Sequence, residues 1–174
     1  MLISKAQLRR RVRELAQRIT REFTGRDLVV VSVLNGTVLF LADLIRQVPL
    51  ALRLDFIGVS SYRGRTAPGA LVFTKALRLD VRHRDVLLVD DILDTGQTLR
   101  CVLARLKRLR PRRIRVCVLL KKRTQRAARV RAHYVGFEIP DRFVVGYGLD
   151  FAERYRNLPF VGVLRSDLCH GDPS

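Results

Sequence analysis

Acidic residues are scarce in this chain: 16 Asp and Glu stand against 34 Lys and Arg in 174 residues, a formal net charge of +18. That balance attracts polyanions, with a merely solvated basic surface as the plain alternative. Cysteine is scarce too. Cys101, Cys117 and Cys169 are odd in number and widely spaced, which excludes a disulfide framework and a CxxC metal site and predicts free thiols. His83, His133 and His170 are scattered without the Cys, Asp or Glu spacing of a metal cage, so structural or solvent roles are expected. No stretch reaches the roughly 18–20 apolar residues of a membrane span, and the opening Met1 to Arg9 lacks a long apolar core. No membrane partner is expected, and the cytoplasm is the default compartment. Internal repeats and low-complexity tracts are absent as well.

What is present is a 48% hydrophobic, 29% charged composition, enough apolar material for a packed core in one domain spanning 1–174. Leu8, Val12, Leu15, Ile19 and Phe23 recur at helical spacing after Ser4, a candidate N-cap, and Gly25 marks the end. Leu28 to Leu34 reads as a strand buried on both faces, followed by Asn35-Gly36-Thr37 and a helix to about Val48. Leu52 to Val59 is the next strand. Ser60 to Gly69 is polar with two glycines and Pro68, and predicts a mobile loop before a return strand at Ala70 to Thr74. Val86 to Val89 predicts a second buried strand, Leu99 to Leu109 a helix ending before Pro111, and Ile114 to Leu120 another strand. The alternation predicts an α/β domain with a mostly parallel twisted sheet flanked by helices, its ligands at the carboxyl ends of the strands. Beyond about 121 the short apolar pieces around Gly136, Pro140, Gly146 and Gly148 look like a small appended subdomain.

The most informative stretch is Val86-Leu87-Leu88-Val89-Asp90-Asp91-Ile92-Leu93-Asp94-Thr95-Gly96-Gln97-Thr98. Four apolar residues make the strand, and two adjacent carboxylates stand at its carboxyl end. Thr95 to Thr98 turns into a helix whose free N–H groups suit a phosphate, with Gly96 allowing close backbone approach. Acids beside a phosphate turn need something else to face, such as ribose hydroxyls or a hydrated Mg²⁺. Phosphoribosyl pyrophosphate (PRPP) offers both. The plainer roles for the same residues are strand termination by Asp90 and Asp91 and helix capping by Asp94.

This stretch resembles the PRPP signature of the hypoxanthine-guanine phosphoribosyltransferases. Leu34-Asn35-Gly36-Thr37, Ser60-Ser61-Tyr62, Lys122-Arg123-Thr124 and Phe137-Glu138-Ile139-Pro140-Asp141 through Gly146-Tyr147-Gly148-Leu149-Asp150 match the family in order, up to about Leu164. The resemblance implies a type I phosphoribosyltransferase fold with a base-binding hood formed by the N-terminal segment and residues about 136–165. It implies purine salvage: transfer of the 5-phosphoribosyl group of PRPP to hypoxanthine or guanine, giving IMP or GMP and pyrophosphate with Mg²⁺. Asp90 and Asp91 would bind the ribose hydroxyls and the metal, and Asp94, Thr95, Gly96, Gln97 and Thr98 the 5′-phosphate. Asp94 would also serve as the base near purine N7.

Lys122 would donate to O6 of a 6-oxopurine and so reject adenine. Lys121 competes for this role, because alternation along the strand does not separate the two. Phe143 would stack on the purine and the Val144 backbone read its edge, a core position being the alternative for the ring. Asp150 would orient Mg²⁺ through water, and Arg156 would hold pyrophosphate with the backbone of Leu34, Asn35 and Gly36. The family often holds that first peptide, here Leu34-Asn35, in cis form. Asn35 stands where many relatives carry Lys, and an ordinary turn is the alternative for this loop. Ser61 and Tyr62 would open the catalytic loop that covers the site. A homodimer or homotetramer is also implied.

Two other functions fit parts of the sequence. Between Arg100 and Arg131 there are fourteen Lys or Arg and no acid, which predicts weak, sequence-independent nucleic-acid binding and admits an RNA-binding regulator on the same fold. The PRPP turn alone also admits a phosphoribosyltransferase for another base, although Lys122 and Phe143-Val144 argue against orotate.

Overall fold

The computed structural model describes residues 1–61, 71–123 and 130–165. Helix α1 (Lys5–Phe23) buries Leu8, Val12, Leu15, Ile19 and Phe23 on one stripe. Ser4 caps it reciprocally: its hydroxyl accepts from the Gln7 N–H at 3.3 Å, and the Gln7 side chain accepts from the Ser4 N–H at 2.8 Å. Gly25, at φ +70°, turns the chain after the helix.

There follow β1 (Leu28–Leu34), α2 (Val38–Ile45), β2 (Leu52–Ser61), β3 (Leu71–Lys75), β4 (Asp85–Leu93), α3 (Gln97–Arg108), β5 (Arg113–Lys122) and β6 (Tyr134–Ile139). These strands form one sheet in the order β3-β2-β1-β4-β5-β6. Every neighbouring pair is parallel except β2 with β3. Alternation along the central strands feeds two cores. Leu28, Val30, Leu87, Val89, Cys117 and Leu119 pack with α1 and α2. Val29, Val31, Val86, Leu88, Val116 and Val118 pack with Leu99, Val102 and Leu106 of α3. Both faces of the sheet are therefore covered, which explains why these strands read as unbroken apolar runs.

The strand order departs from β1 in two directions, to β2 on one side and β4 on the other. The loops leaving the carboxyl ends of β1 and β4 diverge there and open a crevice. At the opposite end of the sheet, buried Asp85 pairs with Arg112 and, at 3.3 Å, with Arg113. Glu22 of α1 pairs with Arg113 at 3.3 Å and Arg115 at 2.7 Å, and accepts from the Tyr134 hydroxyl. On the outer strand, Arg11 donates to the carbonyls of Gly136 at 2.6 Å and Val135 at 3.2 Å, occupying groups an edge would leave open. A second sheet pairs β7 (Val144–Val145) antiparallel with β8 (Gly162–Val163), and Ile3 bridges to Val161 beside it.

Several boundaries differ from the sequence expectation. The second helix ends at Ile45, not Val48, because Pro49 disfavours helical backbone in the residue before it. Strand β4 continues four residues past Val89 to Leu93, since its ladder with β5 persists to the pair Leu93 and Lys121. Ser60 and Ser61 belong to β2, paired with Val72 and Leu71, instead of the expected loop. The rest of that loop, 62–69 with Tyr62, lies outside the described residues, as do Ala70, Thr124, Cys169 and His170. Tyr134–Ile139 joins the main sheet beside β5, so the small sheet begins only after Pro140. Cys101 and Cys117 are free, and His133 accepts from the Val116 N–H through Nδ1 at 3.0 Å, a structural role. Among the described residues no helix is long and apolar enough to cross a membrane.

Candidate active site

A cleft of about 250 Å³ opens at the carboxyl ends of β1 and β4. Leu34 and Gly36 line it from one loop, Asp90, Asp91 and Asp94 from the strand end, and Thr95, Gly96, Gln97 and Thr98 from the turn into α3. The turn depends on Gly96, whose φ of +75° lies in the left-handed region. The N-cap Gly96 offers no side chain, the Thr95 hydroxyl accepts only distantly from the Gln97 N–H at 3.5 Å, and the first turn of α3 carries no acid. Its leading N–H groups therefore point into the cleft as anion donors, reinforced by the helix dipole.

Asp90 is buried and accepts from the Thr37 hydroxyl at 3.4 Å and the Asp91 N–H at 3.1 Å. Burial, then the neighbouring Asp91 charge, hold its carboxyl well above the usual aspartate range. Burial raises Asp91 as well, opposed by the Ile92 N–H at 2.8 Å and the Arg156 charge. The buried pair thus resists carrying two negative charges at once, a cost that a cation would offset. Among the described residues no three His, Cys, Asp or Glu gather into a metal cage.

The structure separates the two lysines that the sequence left open. Lys121 turns away from the cleft and pairs with Glu138 of β6 at 3.0 Å. Lys122 lies 2.8 Å from Asp94 Oδ2 and 3.3 Å from Asp141, with its side chain only 11% exposed. Burial alone would lower the Lys122 ammonium, but Asp94 and Asp141 outweigh it and raise the group above its ordinary value. Asp141 stands two residues before Phe143 in the chain. Its contact draws the Phe143 segment alongside Lys122 and Asp94. The Phe143 ring is half-exposed, edge-on to Phe151 at 5.6 Å, and is not a core position. Val144 is buried and paired with Val163.

The loop after β1 meets the residues before Asp150. The Leu34-Asn35 peptide is cis. A Cβ on Gly148 would overlap the Gly36 carbonyl oxygen, and one on Gly36 would overlap the Asp91 carboxylate. Both glycines are therefore required by close approach. Arg156 donates to the Gly148 carbonyl at 2.8 Å and pairs with Asp150 at 2.9 Å and Glu153 at 2.9 Å. Through its charge on Asp91 it ties Asp150 to the acid pair. Sequence reasoning missed the structural work of Asp141, Gly148 and Asp43, whose Oδ2 accepts from the Tyr147 hydroxyl at 2.7 Å. Of these, only Asp141 and Gly148 lay inside a matched motif. A lone acid such as Asp43 on a helix carries no sequence signal.

Residues 4–152 match the model of the phosphoribosyl transferase domain family. The chain is 42% identical over 169 residues to the bifunctional protein TilS/HprT of Listeria monocytogenes serotype 4b, covering 97% of this chain but about a quarter (26%) of that protein's length. It is 42% identical over 166 residues to a hypoxanthine-guanine phosphoribosyltransferase of Bacillus subtilis, covering 95% and 92% of the two chains. A crystal structure of a hypoxanthine phosphoribosyltransferase from Staphylococcus aureus superposes with a TM-score of 0.91 at 38% identity, over 99% of this chain and 94% of that one. The paired acids, the phosphate turn and the lysine-aspartate contact thus sit on a fold and a sequence shared along nearly the whole chain, and the protein belongs to the hypoxanthine-guanine phosphoribosyltransferase family.

Proposed function

We propose that this chain performs the salvage reaction in which a 6-oxopurine, hypoxanthine or guanine, displaces pyrophosphate from PRPP to give IMP or GMP. The observation that carries the reading is the contact of Lys122 with Asp94 beside the phosphate turn. It sets a donor suited to O6 and an acceptor suited to the N7 side of the ring at the mouth of one cleft. A bond forms from a purine nitrogen to the ribose anomeric carbon as the bond to pyrophosphate oxygen breaks. Asp94 takes or stabilises the proton the purine releases. The N–H groups of Thr95 to Thr98 hold the 5′-phosphate, and Asp90 and Asp91 orient the ribose hydroxyls. The backbone of Leu34, Asn35 and Gly36 with the Arg156 guanidinium receives the leaving pyrophosphate. Phe143 stacks on the base, the backbone of Val144 reads its edge, and the small sheet serves as the hood over it. Ser61 and Tyr62 open the covering loop, which keeps water from the ribose carbon.

The carboxylates of Asp90 and Asp91, with Asp150 acting through water, would supply the hard oxygen donors Mg²⁺ prefers, and the ion would offset the cost of keeping two adjacent buried acids ionised. When bound it neutralises charge on the departing pyrophosphate. The protein works as a homodimer or homotetramer in the cytoplasm, with Val38 and Leu39 of α2 as exposed apolar residues suited to a second copy.

The test is nucleotide formation from PRPP with hypoxanthine, guanine or adenine, with and without a chelator, and light scattering for the oligomer. The expected result is product from the two 6-oxopurines only, abolished by chelation. Equal use of adenine, or full turnover in excess chelator, would overturn the reading.

A further inference from the structure

A second basic site lies between α1 and α2. Arg9 and Arg13 stand one helical turn apart on α1, and Arg46 caps the end of α2. With Val12, Asp43 and Gln47 they line a recess of about 460 Å³. None of these residues lines the cleft at Asp90 and Asp91. Buried Val12 forms its floor, and the three arginines are exposed. Among the described residues the guanidinium groups of Arg9, Arg13 and Arg46 have no hydrogen-bond or ion-pair partner. Asp43, the one acid in the lining, is engaged by the Tyr147 hydroxyl instead.

The contrast with the basic segment from Arg100 to Arg131 is informative. There Arg112 and Arg113 pair with Asp85, Arg115 with Glu22, Lys121 and Arg123 with Glu138, and Arg105 lies over the Phe73 ring at 4.5 Å. Much of that charge is spent inside the fold. Three exposed guanidinium groups without an ion-pair partner around one recess outnumber the single Asp43 carboxylate there and leave donors for an anion.

We infer that the recess between α1 and α2 binds an anion with two or more linked phosphoryl groups, either an inorganic oligophosphate or the phosphate tail of a nucleotide. Guanidinium forks match phosphoryl oxygens two at a time, and several forks around a recess match a chain of them. The volume is that of a small-molecule pocket. No aromatic residue lines it, so it lacks the stacking platform that single-stranded nucleic acid uses. Beyond Gln47 a further recess of about 390 Å³ runs past Thr20 and Arg21 to Pro49, space for a ribose and base beside the phosphates.

Calorimetry on the full chain at physiological salt tests this with two probes, tripolyphosphate and ATP. Because the active-site turn also takes phosphate, wild type should bind two tripolyphosphate ions per chain. The variant Arg13→Gln/Arg46→Gln should keep one, with the lost site weakened at least about tenfold, and should form nucleotide from PRPP at the wild-type rate. The control Arg10→Gln/Arg108→Gln, exposed arginines outside the recess, should keep both. ATP binding there more tightly than tripolyphosphate identifies a nucleotide; equal or weaker binding identifies the phosphate chain alone. Two binding events in the recess variant, a single wild-type event that persists unweakened in that variant, or equal loss in the control overturns the inference. Displacement of tripolyphosphate by a single-stranded RNA dodecamer at lower concentration would overturn it in favour of nucleic acid.

Discussion

Lys122 Nζ and Asp94 Oδ2 are 2.8 Å apart, so the two groups proposed for O6 and N7, neighbours on one edge of the purine, contact each other. On the proposed roles an entering 6-oxopurine would part them, exchanging one ion pair for a bond to each. The exchange favours a base that offers both an acceptor at position 6 and a site for Asp94. Adenine presents an amine to the Lys122 ammonium, leaving donor against donor.

Asp94→Asn keeps the shape of the side chain and removes the proton acceptor. Turnover with hypoxanthine or guanine should fall about 10²–10⁴-fold, while PRPP affinity by calorimetry changes far less. Near wild-type turnover under conditions where chemistry limits would show that the proton leaves by another route.

Lys122→Ala should raise the KM for the base about 10- to 100-fold, the worth of one charge-assisted hydrogen bond, with the KM for PRPP nearly unchanged. Because Asp94 and Asp141 raise the ammonium above its ordinary 10.5, Lys122 stays charged across the neutral range. Its contribution to stability is full below that ordinary value and is lost as pH rises through the folded one. A wild-type KM for base that climbs between pH 7 and 9 through Lys122, and no longer climbs in Lys122→Ala, would contradict this.

Gly148→Ala places a methyl group on the Gly36 carbonyl at a φ of +102°. It should cost at least about 2 kcal/mol in denaturant unfolding and raise the KM for PRPP by disturbing the loop after β1. Gly25→Ala also meets a positive φ, +70°, but has open space around it, so it should destabilise less and leave the KM alone. Equal effects of the two on KM would show that the contact between the loops is not what matters.

Asp55 tests a device remote from the cleft. Burial would raise this carboxyl, but the N–H groups of Leu79, Phe56 and Arg78 and the Lys75 ammonium hold it below 3.8. A depressed folded value means that its stabilisation is complete above the ordinary aspartate range and is lost as pH falls through the folded value. Asp55→Ala leaves several donors unpaired and should cost about 3 kcal/mol at pH 7. The gap from wild type should narrow in acid, and a gap constant from pH 7 to pH 2.5 would rule the account out.

The fold and many of the residues that line the cleft were legible because they rest on local rules. Helix α1 with its Ser4 cap, the apolar runs of β1 and β4, and the Gly96 turn follow from periodicity, capping and φ requirements that neighbouring residues impose on each other. Residues 90–98 carried the site for the same reason, since strand end, acid pair and phosphate turn are contiguous. Tertiary structure alone decided which lysine faces Asp94, because the strand keeps its alternation but the phase relative to the cleft is set by packing against α1 and α3. It also decided that Tyr134–Ile139 extends the main sheet, since hydrogen bonding to β5 is made by a partner far away in sequence. The same holds for charge. The chain's composition determined an excess of arginine, but only the folded positions of Asp85, Glu22 and Glu138 decided which guanidinium groups are neutralised and left those of Arg9, Arg13 and Arg46 unpaired around one recess.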